Sequence, residues 1–253
     1  GWDVKDFFLK VVTSSTYRQT SDASPELYAR DPENHLLARG PRVRLTSEQI
    51  RDQALAVSGL LAEKLGGPSV RPYQPESLYK GIVVDAPYPS TTWELGKGDE
   101  LYRRSLYTFW KRTVPHPAML TFDSPDREFC SARRSRTNTP LQALVLWNET
   151  GYLESSRKLG ERMLKEGGAD DTSRATFAFR LATGRMPRAE ESAVLIRTYG
   201  KLRTDFAARP DDAAKLIKVG VSVPDSALSA VELAAAAGVA NLILTLDETI
   251  TKN

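Results

Sequence analysis

The segment from Ser226 to Leu246 constrains this chain more than any other. Glu232 is its only charged residue, and Leu228, Val231, Ala235, Val239, Leu242 and Leu246 recur along one side at helical spacing. Its length approaches a membrane span. However, it is rich in Ala, carries Gly238 and Asn241, and lacks flanking arginines. The expectation is therefore a buried core helix with no transmembrane segment.

The remaining punctuation is also helical. Phe7, Phe8, Val11 and Val12 form a stripe over Trp2–Thr13. Ser24-Pro25-Glu26 reads as a helix start, and Asp31-Pro32-Glu33-Asn34 as the start of a short helix ending near Arg39-Gly40-Pro41. Thr46-Ser47-Glu48-Gln49 fits a capping box. It leads into a face of Ile50, Ala54, Val57, Leu61 and Leu65, stopped by Gly66-Gly67-Pro68. Tyr102, Leu106, Phe109, Trp110 and Thr113 are spaced as one helical face, although alternation also fits part of the segment, and Pro115-His116-Pro117 ends the element. Thr139-Pro140 opens a short helix, Asn148-Glu149-Thr150 caps another through Leu164, and nearly all of the chain after Gly167-Gly168 is helical, with a tight turn at Gly184-Arg185-Met186-Pro187.

Between Ser69 and Gly98 the chain has no helical period and many Pro and Gly, with one apolar run at Ile82-Val83-Val84. The expected fold is all-α: an irregular multi-helix bundle with a long ordered Pro/Gly-rich loop at about 66–100, where a short β-hairpin fits. A chain of 253 residues holds one large domain or two small ones. The reading is a single helical domain over 1–253. A sub-boundary near 167–170 would part a loop-rich helical section (1–166) from a C-terminal helical bundle (170–253).

Charge is local. Between Leu101 and Asn138, seven Arg and one Lys face only Asp123, Asp126 and Glu128, a net of +5, while the whole chain is +3. Buried guanidinium groups have to be paired, with protein carboxylates and carbonyls or with an anionic partner. Pairing inside the fold is the first reading. An anion site for sulfate, phosphate or a uronic-acid sugar is the second, formed by Arg103, Arg104, Arg133, Arg134 and Arg136 with Asn138. Nucleic acid ranks third, because the overall balance is too even for strong backbone binding.

Catalytic sets are sparse. There is no Gly-x-Ser-x-Gly elbow. Ser14, Ser15 and Tyr17 have no nearby His, so capping of the first helix is expected. His116, Asp123 and Asp126 are the acid/base candidates, and His35 reads as a structural residue on a short helix. Cys130 is the only cysteine, so no intrachain disulfide forms. Neighbouring Arg127, Arg133 and Arg134 would lower its pKa, although a buried inert thiol is the default. Asp123, Asp126 and Glu128 have a spacing that oxygen-ligand metals favour, but the central glycine and final Glu of a calcium loop are missing. One Cys with two His makes no closed zinc site. No metal is expected, and no cofactor in this chain, since no haem attachment motif is present. The opening Gly1-Trp2-Asp3 reads as neither a signal peptide nor a natural start, so the chain is expected to be a piece of something longer.

Several blocks carry a family likeness. Asp31-Pro32-Glu33-Asn34 with Leu37-Ala38-Arg39-Gly40, Arg51-Asp52-Gln53-Ala54-Leu55, and Gly67-Pro68-Ser69-Val70 are three of them. Tyr102-Arg103-Arg104-Ser105 with Thr108-Phe109-Trp110-Lys111-Arg112, Arg136 through Leu144, Ala178 through Arg185, and Leu246-Asp247-Glu248-Thr249 complete the set. Together they resemble the planctomycete PSD-one family, the domain of unknown function 1553, over nearly the whole chain. The resemblance implies the C-terminal module of a large exported protein, behind a cytochrome-c-like module, and hence a periplasmic or cell-envelope location. Haem would belong to that parent. The resemblance supplies no established activity and no catalytic residues. The leading expectation is a non-catalytic helical assembly or docking module whose partners are other domains of the parent, a protein or an acidic glycan. The alternative is part of an enzyme acting on acidic or sulfated polysaccharide through the arginines.

Overall fold

The computed structural model describes residues 1–75, 78 and 93–252. The run Ile82-Val83-Val84 lies outside them. Helices dominate, as the periodicity predicts. The internal contacts divide the chain into two compact units: Gly1–Leu45 with Ile250–Asn253, and Thr46–Thr249.

The smaller unit begins with α1 (Val4–Thr13), capped by the Asp3 carboxylate, which accepts from the Asp6 N–H at 2.9 Å. No residue of α1 is buried, and Phe7 and Phe8 are about 60% exposed. Ser14 closes its C-terminal end, donating its hydroxyl to the Val11 carbonyl. Ser24 caps α2 (Pro25–Arg30). The helix expected from Asp31 does not form. Both Asp31 carboxylate oxygens accept backbone N–H groups, from His35 and Leu36 at 2.8 Å each. This side-chain capture competes with helical bonding. Asn34 and Leu37 then take left-handed backbone at φ 56° and 53°, and His35 is an exposed ring beside Glu33. A two-stranded antiparallel ribbon pairs β1 (Val43–Arg44) with β2 (Thr251–Lys252).

The larger unit is built around α10 (Ala230–Leu244), the uncharged segment singled out from the sequence. Leu233, Ala234, Ala235, Ala236, Val239, Ala240 and Ile243 are fully buried. Against it pack α6 (Thr150–Glu166), α7 (Asp171–Thr183), α8 (Ala189–Ala208) and α9 (Pro210–Leu216). Leu159, Met163, Phe179, Leu195 and Tyr199 complete the core. Each buried side chain of this size contributes about 1.5–3 kcal/mol. Among the described residues no helix is long and apolar enough to cross a membrane. Residues 167–170 lie inside this unit, where Gly167 ends α6 and Asp170 caps α7.

The capping box forms at the start of α3 (Ser47–Ser58), with Thr46 and Gln49 bonding reciprocally. The helix stops at Gly59, in left-handed backbone at φ 77°, well short of Leu65, which is 81% exposed. The helix expected through Tyr102–Thr113 is also absent. Two short 3-10 turns, Gly98–Tyr102 and Ser105–Tyr107, stand there instead. The backbone bonds go to distant segments: the Ala62 N–H donates to the Tyr102 carbonyl, and the Phe109 N–H to the Val70 carbonyl. His116 precedes α4 (Pro117–Thr121), so Pro117 begins a helix where a stop was expected. Then comes α5 (Pro140–Asn148), preceded by Thr139, whose side chain makes no cap bond.

Candidate functional site

The larger unit buries a polar centre beneath the start of α6. Glu149 caps that helix, accepting from the N–H groups of Gly151 and Tyr152. One turn on, Glu154 is fully buried. Its carboxylate accepts from the Tyr73 and Tyr102 hydroxyls at 2.9 Å each, and from the Ser222 N–H and hydroxyl at 2.7 and 2.6 Å. Arg157, 1% exposed, lies 3.8 Å from Glu154 and pairs with Glu161. Burial and the Glu154 charge push the phenols of Tyr73 and Tyr102 up. Four donors on one carboxylate satisfy the charge that burial would otherwise penalise.

Beside this centre is a cavity of about 20 Å³, lined by Arg51, Tyr73, Tyr102, His116, Glu149, Tyr152 and Glu154 among others. That is room for about one water and excludes a sugar ring or a peptide side chain. Arg51 donates to the carbonyls of Leu101 and Arg103 and to the Ser105 hydroxyl. His116 is 5% exposed and sits 2.9 Å, through Nε2, from the Tyr73 carbonyl. That contact places the proton on Nε2. Nδ1 has no partner among the described residues. Burial first, and the Arg51 charge second, hold His116 down to about 4, so it is neutral near pH 7. Burial likewise pushes Glu149 up.

The arginines divide. Arg103 is 3% exposed and gives its guanidinium to the carbonyls of Lys64, Gly66 and Pro68, 3.8 Å above the Tyr107 ring. Arg104 lies 3.5 Å from Asp52. Arg134 donates through Nη1 alone to both carboxylate oxygens of Glu48, at 3.0 and 2.8 Å. The side chains of Arg133, Arg136 and Asn138 are exposed and bond no described residue; the Arg133 carbonyl accepts from the Ser131 hydroxyl.

Asp123 holds left-handed backbone at φ 59° and closes the following loop, its carboxylate accepting from the Thr137 N–H and hydroxyl. Asp126 accepts the Glu128 N–H, and its carbonyl accepts from the Trp110 ring. An open groove of about 480 Å³ follows this loop, lined by Leu120, Asp123, Asp126, Phe129, Cys130, Arg133 and Arg134 among others. Cys130 is exposed, not buried as expected by default. The groove thus gathers Asp123, Asp126, Arg133 and Arg134. It does not gather His116 or Arg103, which serve the interior.

Sequence reasoning missed the Glu154 centre, whose ligands come from residues far apart in the chain. One signal was present: Glu154, Arg157 and Glu161 recur at helical spacing, and all three are buried on α6. Among the described residues no His, Cys, Asp and Glu set is grouped to hold a metal ion.

The family model described as PSD1, protein of unknown function (DUF1553), matches residues 1–199. No curated protein and no solved structure matches the chain.

Proposed function

The chain belongs to the PSD1 (DUF1553) family, and from that premise we propose that it is a non-catalytic docking module of a longer exported protein. The partner is another domain of that parent, and the setting is the periplasm or cell envelope. Haem chemistry, in this reading, belongs to other parts of the parent.

The observation that carries the reading is the outward side of α5. Leu141, Leu144 and Trp147 lie along one side of the helix, 55%, 57% and 44% exposed. Phe129, in the preceding loop, is 83% exposed. Apolar side chains left exposed along one face of a helix suit a surface that a partner covers. Arg133 and Arg136 in the same loop have no acceptor among the described residues. The matching partner surface is apolar with an acidic rim. The interior polar groups support the same view, since the cavity at His116 has no room for a substrate.

A photoreactive residue placed at Leu144 in the native protein tests this, with Val194 of α8, itself 44% exposed, as the control site. The reading expects position 144 to crosslink to one defined domain, and position 194 to give no such product. Equal absence of product at both sites sinks it.

The open groove favours a second reading, action on an acidic polysaccharide with Arg133 holding the anion and Asp126 as acid/base. Asp123 fits that role poorly because Thr137 occupies its carboxylate. Release of new chain ends from an acidic polysaccharide by the purified chain, lost in Asp126→Asn, would establish it in place of the first.

A further inference from the structure

The geometry points to a second binding site, wholly within the smaller unit, for a carboxylate-bearing sugar at Arg39. The Asp31–Gly40 stretch is one of the family-like blocks, and the docking reading leaves it unused. It forms a built loop. Asp31 accepts two backbone N–H groups, and the Asn34 amide donates to the Arg39 carbonyl at 2.7 Å while accepting from its N–H. The Gly40 N–H donates to the Thr20 carbonyl. A Cβ at position 40 would stand 2.5 Å from the Gln19 oxygen, so only glycine lets the two segments meet. Leu37, a bulky residue in left-handed backbone at φ 53°, adds the kind of strain that clusters at ligand sites.

This framework holds one guanidinium. Arg39 is 8% exposed, lies 4.4 Å over the Tyr28 ring, and donates Nη2 to the Pro32 carbonyl at 2.7 Å. Its Nη1 is buried with no acceptor among the described residues. The Asp31 carboxylate lies near enough to feel the Arg39 charge, but its two oxygens accept the His35 and Leu36 N–H groups; a buried donor without an acceptor is costly, and a carboxylate fits the planar guanidinium. Arg39 forms part of the wall of a groove of about 560 Å³, along with Thr16, Gln19, Tyr28, Asn34 and Leu37. That volume suits a ligand of one or two rings. Arg39 stacks on one face of Tyr28, which is 47% exposed, leaving aromatic surface for a sugar ring. Thr16, Gln19 and Glu33 also line the groove.

The test titrates the whole chain with digalacturonate, with neutral digalactose and succinate as separate arms, following the Arg39 side-chain N–H and Tyr28 ring resonances. Saturable shifts with digalacturonate that digalactose does not reproduce are expected. Succinate should bind more weakly, having the carboxylate without the ring. Arg39→Lys should weaken digalacturonate by about tenfold or more, the worth of one charge-assisted bond. Its thermal midpoint is read alongside, and the wild-type resonances decide the matter if that variant does not fold. No saturable shift with digalacturonate overturns the site. Equal binding by succinate overturns the sugar, and equal binding by digalactose overturns the role of the guanidinium.

Discussion

Gly160 of α6 lies so close to Ala237 of α10 that a Cβ on it would stand 2.8 Å from the Ala237 nitrogen. The two helices therefore touch through backbone, and the run of alanines in α10 is what permits it. Gly160→Ala forces them apart. The expected cost is about 1–3 kcal/mol, as for overpacked cores, read as a lower denaturant midpoint with an unchanged slope.

Interior arginines should behave differently from those of the exposed loop. Arg103→Met leaves the carbonyls of Lys64, Gly66 and Pro68 without their donor. The loss should be about 2–4 kcal/mol. Arg136→Met, at an exposed position, should stay within about 0.5 kcal/mol of wild type. Chemical denaturation of the two variants side by side checks this, and equal losses would contradict it.

His116 links stability to pH. Its folded value of about 4 lies below its ordinary value of 6.5. Between those limits the unfolded chain takes up a proton that the folded chain refuses. Its contribution is fully present above that window and is lost as pH falls through it, by about 3 kcal/mol in all. His116→Gln keeps a donor for the Tyr73 carbonyl and removes the titration. Its stability should therefore fall less than that of wild type between pH 6.5 and 4.

Glu191 acts in a lower window. Its hydrogen bond from Arg185 holds its carboxyl down to about 2, from an ordinary 4.5. A depressed carboxylate stabilises above its unfolded value and loses that contribution as pH falls through the folded one. Glu191→Gln should show a shallower loss of thermal midpoint between pH 4.5 and 2 than wild type.

Local signals in the sequence carried much of this fold. Thr46 and Gln49 announce α3, Pro140 marks the first residue of α5, and the uncharged run names the central helix. What failed was decided by distant partners. The face of Tyr102, Leu106 and Phe109 looks helical, yet Tyr102 and Phe109 bond to Ala62 and Val70. Asp31 looks like a helix start, yet its carboxylate holds a loop. Gly59 ends α3 where the apolar period continues, because it takes the left-handed backbone that closes the helix. The polar centre stayed hidden for the same reason as the missing helix: Tyr73, Tyr102 and Ser222 meet Glu154 only after folding. The loop carrying Arg133 and Arg136 was legible as a basic segment, but its outward direction was not.

Hydrogen exchange measured on the isolated chain and on the protein in its native assembly tests the docking account most directly. Amides of α5 should exchange at least several-fold more slowly in the assembly, while those of α6 around Leu159 and Met163 keep the same rate in both. Identical α5 rates in the two samples would contradict it.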